Sequence, residues 1–390
     1  MAIAVEKETL LDVRNLSVDY TAANGTVHAA TNVSFTLKRG EILGLAGESG
    51  SGKSTLAYAI SRLLRPPAEI VGGEVIYYPR SRDDADAVHI TEASSRLKGG
   101  KRPARDANEM EPIDVLALTP AQLRAFRWSE LSIVFQSAMN ALNPVMNVGK
   151  QIMDVLKVHR PLMGPDSRKQ RALELLKLVG IAPDRLNSYP HELSGGMRQR
   201  AVIAIALALS PEIIIMDEPT TALDVVVQRE ILTEIMRLRE QLGFSVIFIT
   251  HDLSLLLELA DKVAIMYAGK LVETASRHDL YLHPRHPYSY GLLKSFPTIN
   301  GPRRIMTGIP GSPPDLRNVP SGCAFHPRCP VVFDACRSIV PTLQSSASES
   351  PNQLVACHLY DRRFAPDGPP SASDFAQKYQ ALRTERGKAE

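Results

Sequence analysis

Leu193-Ser194-Gly195-Gly196-Met197 decides how the rest of this chain is read. Alone it is a short glycine-containing turn before a helix. Its company gives it weight. Far upstream, Gly47-Glu48-Ser49-Gly50-Ser51-Gly52-Lys53-Ser54 fits the phosphate-loop pattern G-x-x-x-x-G-K-[ST]. Just downstream, the apolar run Ile213-Ile214-Ile215-Met216 ends in Asp217-Glu218. A phosphate loop, a glycine turn and an acidic strand end therefore follow one another in a fixed order.

The loop has the right surroundings. The strand Glu41–Ala46 leads into it, and Thr55–Leu64 reads as a helix stopped by Pro66-Pro67. Glycines let the backbone turn tightly, so that its N–H groups point at phosphate oxygens. Lys53 is placed to neutralise the β- and γ-phosphates and Ser54 to put a hydroxyl on Mg²⁺. By itself the motif says only NTPase or kinase.

Asp217 and Glu218 stand at the C-terminal end of a buried strand, the edge where such sheets bind ligands. Asp217 is expected to orient the Mg²⁺ shell and Glu218 to polarise an attacking water. Pro219-Thr220-Thr221-Ala222-Leu223-Asp224 then turns the chain into a helix. A second buried strand, Ser245–Ile249, is followed by His251, which could reach a γ-phosphate. Gln136 follows Ile133-Val134-Phe135, and its amide could join the Mg²⁺ and water site. A lone His or Gln is more often structural, so both gain meaning only from this setting.

The chain has 390 residues, enough for two domains. Its 44% hydrophobic and 22% charged content is that of a globular protein. A net charge of +3 argues neither for a nucleic-acid binder nor for a strongly anionic partner, and 6% aromatic residues suggest no base-stacking platform, so no nucleic-acid partner is expected. The N-terminus lacks the pattern of a signal peptide, and the longest apolar stretch, Ala201–Leu209, is too short to span a bilayer. A place on the cytoplasmic face of the membrane, held there by partners, is expected.

Along the chain, residues Leu10 to Leu45 read as strands, with Asn24-Gly25 as a hairpin turn. Pro79–Glu111 reads as a solvated, partly mobile insertion, with a regulatory role as the alternative. Residues 131–200 read as mostly helical. Wholly apolar β-branched runs separated by Gln228–Leu242 fit a parallel sheet buried on both faces, so the fold class is α/β. Prolines become dense after Tyr281. The division expected is a nucleotide-binding domain over 1–280, a C-terminal domain over 281–360 and a flexible tail over 361–390.

The three motifs in this order resemble the ATP-binding-cassette (ABC) ATPases, over about Leu10 to Leu280. The resemblance implies a RecA-like core with an antiparallel β subdomain and a helical signature subdomain. It also implies roles residue by residue. Tyr20 would stack on adenine, and Gly47, Ser49, Gly50, Ser51, Gly52, Lys53, Ser54 and Thr55 would form the Walker A loop. Asp217 would be the Walker B aspartate, Glu218 the catalytic glutamate, Gln136 the Q-loop, Asp224 the D-loop and His251 the switch histidine. Ser54, Gln136 and Asp217 would surround Mg²⁺. Ser194, Gly195 and Gly196 would contact ATP held by the opposite subunit, so a second ATPase chain is required.

All 4 cysteines lie in one segment, at Cys323, Cys329, Cys336 and Cys357. In a reducing compartment such a group suits a metal or cluster better than disulfides. Together with Pro284–Leu293 and Gly308–Pro314, the segment resembles the C-terminal extension of dipeptide/oligopeptide importer ATPases. There the cysteines are implied to hold a 4Fe–4S cluster, with zinc as the alternative.

The resemblance implies an ATPase subunit of a peptide importer. Its partners would be two transmembrane permeases docking near 131–200, a paralogous ATPase chain and an extracellular substrate-binding protein. Oligosaccharide import is the second reading. A non-transport ABC ATPase is the rival from another class.

Overall fold

The computed structural model describes residues 8–22, 25–80, 111–136, 141–221, 223–295, 308–345 and 352–386. Two sheets organise the chain. β1 (Thr9–Ala22) and β2 (Gly25–Lys38) form an antiparallel hairpin, extended by β4 (Ala68–Tyr77) and β5 (Ile113–Asp114) in the order β2-β1-β4-β5. β4 is absent from the sequence reading because a glycine pair interrupts its apolar residues. Its middle, Val71–Glu74, is exposed and includes Gly72-Gly73.

The second sheet holds the site. It contains β3 (Ile42–Ala46), β6 (Leu131–Val134), β7 (Ile213–Asp217), β8 (Ser245–Ile249), β9 (Lys262–Tyr267) and β10 (Lys270–Ser276). Two short strands, β11 (Gln344–Ser345) and β12 (Leu354–Val355), complete it in the order β11-β12-β10-β9-β3-β8-β7-β6. β3, β6, β7 and β8 are parallel, with Met216 opposite Phe248 and Asp217 opposite Ile249. Their C-terminal ends therefore lie on one edge.

Strand alternation explains the apolar runs. Ile214 and Met216 of β7 join one hydrophobic core, whereas Ile213 and Ile215 join the other. Val246 and Phe248 of β8 likewise face one core, and Ile247 and Ile249 the other. A strand buried on both faces has no polar position to spare. At roughly 25 cal/mol per Å², each such side chain contributes about 1.5–3 kcal/mol.

Helices cover the sheet. α1 (Lys53–Ile60) follows the phosphate loop and ends earlier than the expected Leu64, with Arg62 turning the chain in left-handed backbone. α2 (Pro120–Ser129) precedes β6. The stretch 131–200, read as mostly helical, opens with the sheet strand β6; its helices are α3 (Val148–His159), α4 (Pro165–Leu178) and α5 (Gly195–Ala206). α6 (Val225–Leu242) is capped by Asp224 and begins three residues before the expected Gln228; it ends at Gly243 in left-handed conformation, as the sequence anticipates. α7 (Leu253–Leu259), α8 (Arg277–Leu282), α9 (Pro287–Lys294) and α10 (Asp334–Ser338) follow.

The C-terminal third departs from expectation. The boundary expected between residues 280 and 281 falls inside α8, and β12 pairs with β10 to lengthen the main sheet. Phe325 and Tyr288 belong to the larger core. The tail expected to be flexible forms α11 (Ala372–Arg386). Phe375 and Tyr379, four residues apart and so on one helical face, are buried against Tyr290, and the Tyr379 hydroxyl donates to the Pro287 carbonyl at 2.6 Å. Most of the insertion at Pro79–Glu111 lies outside the described residues.

Candidate functional site

The phosphate loop joins β3 to α1. Gly47 (φ 146°) and Gly52 (φ 100°) occupy backbone that disfavours side chains. There is also no room for one: a Cβ would lie 2.3 Å from the Met266 carbonyl oxygen at Gly47 and 2.1 Å from that of Ala29 at Gly52. Lys53 is buried and curls back over the loop. Its Nζ donates to the carbonyls of Gly47 (2.8 Å) and Glu48 (2.9 Å) and to Ser51 Oγ (3.3 Å). Burial lowers its pKa, while the charges of Glu218, Asp217 and Glu48 oppose that shift.

The strand ends converge beside the loop. Ser54 Oγ donates to Asp217 Oδ1 at 3.0 Å, linking α1 to β7. Asp217 is fully buried, and its Oδ2 has no hydrogen-bond partner. An orphaned buried carboxylate oxygen is costly unless a cation completes it. With the Ser54 hydroxyl on its other oxygen, it fits an Mg²⁺ shell. Burial raises the Asp217 carboxyl above its ordinary value, the bond from Ser54 opposes this, and the Glu218 charge adds to it.

Glu218 is the hub. Gln136 Nε2 donates to Oε2 at 2.9 Å, Thr221 Oγ1 donates to the same oxygen at 3.0 Å, and His251 Nδ1 lies 3.1 Å from Oε1. The Glu218 backbone is left-handed (φ 46°) and is held there by its N–H bond to the Ile249 carbonyl at 2.9 Å. Strain of this kind costs about 1–3 kcal/mol and persists only where surroundings enforce it. Burial works to raise the carboxyl, but the bonds from His251 and Thr221 and the charges of His251 and Lys53 outweigh it, so its pKa lies below the ordinary value. Glu218 is thus ionised and oriented at neutral pH. Thr221 was missed from sequence; its place three residues after Glu218 was the only available signal.

The other expected residues are placed as follows. The Tyr20 hydroxyl on β1 lies 3.2 Å from Thr55 Oγ1, at the start of α1. Ser194 caps α5, accepting from the Met197 N–H at 3.3 Å, and Asp224 caps α6, accepting from Val226 and Val227. Those two helix starts are neighbours, since a Cβ on Gly196 would lie 2.9 Å from Val227 Cγ1. Among the described residues, none of Ser194, Gly195 and Gly196 is hydrogen-bonded to the phosphate loop, Asp217, Glu218, Gln136 or His251.

Cys323, Cys329, Cys336 and Cys357 are all free thiols and line one pocket, together with Phe325 and His358. Burial pushes the Cys323 thiol up to about 11 and raises the other three. Convergence is therefore as expected, but a finished ligand set is not: among the described residues no group of three or more His, Cys, Asp or Glu is arranged to hold a metal ion.

The comparisons agree with this geometry. The ABC transporter family model matches residues 30–221, and the model of the oligopeptide/dipeptide transporter C-terminal region matches residues 272–336. A probable peptide ABC transporter ATP-binding protein of Sinorhizobium fredii is 41% identical over 354 residues, 90% of this chain and 95% of its own length. The chain belongs to the ABC transporter family. Similar cassettes include the oligopeptide transport ATP-binding protein OppD of Bacillus subtilis, 42% identical over 81% of this chain and 80% of that one. The dipeptide transport ATP-binding protein DppD of the same organism is 39% identical over 91% and 96%. The ATP-binding cassette MJ0796, solved as a dimer with ADP and Pi, superposes with a TM-score of 0.53 at 27% identity. That match covers 69% of this cassette and 99% of the other. Among the described residues no helix is long and apolar enough to cross a membrane.

Proposed function

We propose that this chain is the ATP-hydrolysing subunit of a peptide importer. The observation that carries the reading is the convergence of Gln136, Thr221 and His251 on the Glu218 carboxylate, beside a loop built for phosphates. The peptide assignment is supported by the matched C-terminal region and by relatives named for dipeptide and oligopeptide transport.

Each residue then has a task. Loop N–H groups and Lys53 hold the phosphates, and Lys53 exchanges its bonds to the Gly47 and Glu48 carbonyls for phosphate oxygens. Tyr20, whose hydroxyl lies 3.2 Å from Thr55 Oγ1, would stack on adenine. Ser54, Asp217 and Gln136 would hold Mg²⁺, which when bound neutralises phosphate charge. Glu218 accepts the proton of the attacking water. His251, bonded to Glu218, would orient it and reach the γ-phosphate. The Ser194 turn and Asp224 serve a partner ATPase, a paralogous chain, whose closure on two ATP molecules drives transport.

The remaining partners are two permeases, docked on residues 131–200, and a substrate-binding protein. The chain would lie peripherally on the cytoplasmic face of the membrane. A 4Fe–4S cluster in the four-cysteine pocket, with zinc as the alternative, is the reading suggested by four free thiols, two buried and two half-buried, around one space. Its presence is tested by iron and sulfide content and visible absorbance after anaerobic purification; absence of both would remove it. The transport reading is tested by affinity purification from detergent-solubilised membranes. Permeases should be recovered, and ribosomes or DNA in their place would overturn it.

A further inference from the structure

Glu48 is the second residue of the phosphate loop, and it is gripped from the far end of the chain. Arg328 Nη1 donates to Glu48 Oε2 at 2.7 Å and Nη2 donates to Oε1 at 2.9 Å, a bidentate pair spanning 280 positions. The Arg328 side chain is only 4% exposed. Its other bonds go to the carbonyls of Pro310 (2.9 Å) and Gly311 (3.0 Å) and to the Tyr267 hydroxyl (3.3 Å). The backbone of Glu48 is held as well: its N–H donates to the hydroxyl of the fully buried Tyr288 at 2.8 Å. Tyr288, Tyr267 and Phe325 form one aromatic cluster beneath the pair, with ring centroids 4.7–5.4 Å apart. Both anchors lie within the matched C-terminal region, residues 272–336.

The arrangement has an electrostatic reason. A loop that binds polyphosphate does not tolerate a free carboxylate beside its amides, because like charges in a partly buried site repel strongly. Planar guanidinium matched to both carboxylate oxygens neutralises that charge and fixes its direction. The Tyr288 hydroxyl meanwhile takes up the Glu48 amide, which fixes where the loop begins to turn.

We propose that Arg328 and Tyr288 are positioning residues for the phosphate loop, through which the C-terminal region sets the affinity for ATP. The proposal rests on the reading that Gly47–Ser54 binds ATP. If the unaltered chain binds no magnesium–ATP, that reading fails; the proposal concerns differences among variants of a chain that does bind.

The experiment is calorimetric titration of the full chain with magnesium–ATP, with melting temperature measured alongside. Arg328→Gln should bind about tenfold more weakly, as expected when a charge loses its partner. The Glu48→Gln/Arg328→Gln double variant should recover affinity to within about threefold of the unaltered chain, since the repelling charge is gone. That rescue separates positioning from a purely structural role, in which the double variant would be at least as weak as Arg328→Gln. A folded Arg328→Gln with unaltered affinity, or a double variant as weak as Arg328→Gln, overturns the proposal. Should Arg328→Gln not fold, Tyr288→Phe decides: severalfold weaker binding supports the proposal, and unchanged binding overturns it.

Discussion

Gln136 donates a 2.9 Å hydrogen bond to Glu218, although 82 residues separate them in the chain. The bond exists because β6 and β7 are parallel neighbours, so that the residues following them meet at one edge. The same carboxylate is bonded by Thr221 and His251.

Glu218→Gln keeps the shape of this hub and removes the base. ATP binding should persist and turnover should fall by about 10²–10⁴-fold, the usual contribution of a positioned general base. Steady-state phosphate release together with equilibrium nucleotide binding reads both quantities. Near wild-type turnover would reassign the base.

Asp217→Asn replaces the buried oxygen that has no partner with an amide. Magnesium dependence is the sensitive readout. Nucleotide titrations with and without Mg²⁺ should show the enhancement by the ion lost, while metal-free binding changes little. An unaltered Mg²⁺ response would place the ion elsewhere.

Gly52→Ala should disable the loop. The new Cβ would stand 2.1 Å from the Ala29 carbonyl oxygen, at a φ of 100°. Backbone strain alone is worth about 1–2 kcal/mol, and relief would require the loop to open. Lower melting temperature and lost ATP binding are expected together.

His286 supplies a pH dependence. It is fully buried, and burial lowers its pKa from 6.5 to about 3. Its Nδ1 accepts the Tyr288 N–H at 3.0 Å, so the neutral ring carries its proton on Nε2. The folded value lies below the unfolded one, so its contribution to stability is complete above 6.5 and is lost as pH falls toward 3. The loss should approach about 1.4 kcal/mol per pH unit within that window. Thermal unfolding from pH 7 to pH 5, compared with His286→Asn, which can still cap the helix, should show a shallower slope for the variant.

Phe375→Ala tests the packing of α11. Removing a buried aromatic ring from a core costs about 3–5 kcal/mol. The ring stacks on Tyr290 at 5.6 Å between centroids, so a lower unfolding midpoint is expected. No change in stability would return 372–386 to the status of a loose tail.

Much of the site was legible because local chemistry leaves marks on residue type. The glycine-rich loop needs backbone that only glycine adopts freely, a strand buried on both faces must be apolar throughout, and Asp224 and Gly243 cap the helix between them. Those demands act over a few residues, so Gly47–Ser54, Asp217 and Glu218 could be named from their own neighbourhoods, whereas Gln136 and His251 gained meaning only from the motifs around them. β4 escaped notice because its exposed centre bears no such mark.

What only the tertiary structure decided concerns partners far apart in the chain. Arg328 stands among prolines and cysteines and reads like any surface arginine until the fold buries it against Glu48. β12 looks like loop until β10 offers it an edge, and the last helix looks polar until Tyr290 receives Phe375 and Tyr379. The free energy of such contacts depends on which surfaces meet, and residue spacing does not record that. Sequence by itself thus determined a phosphate loop facing an acidic strand end and the family that uses them. The three-dimensional fold decided that the C-terminal region reaches back to hold that loop.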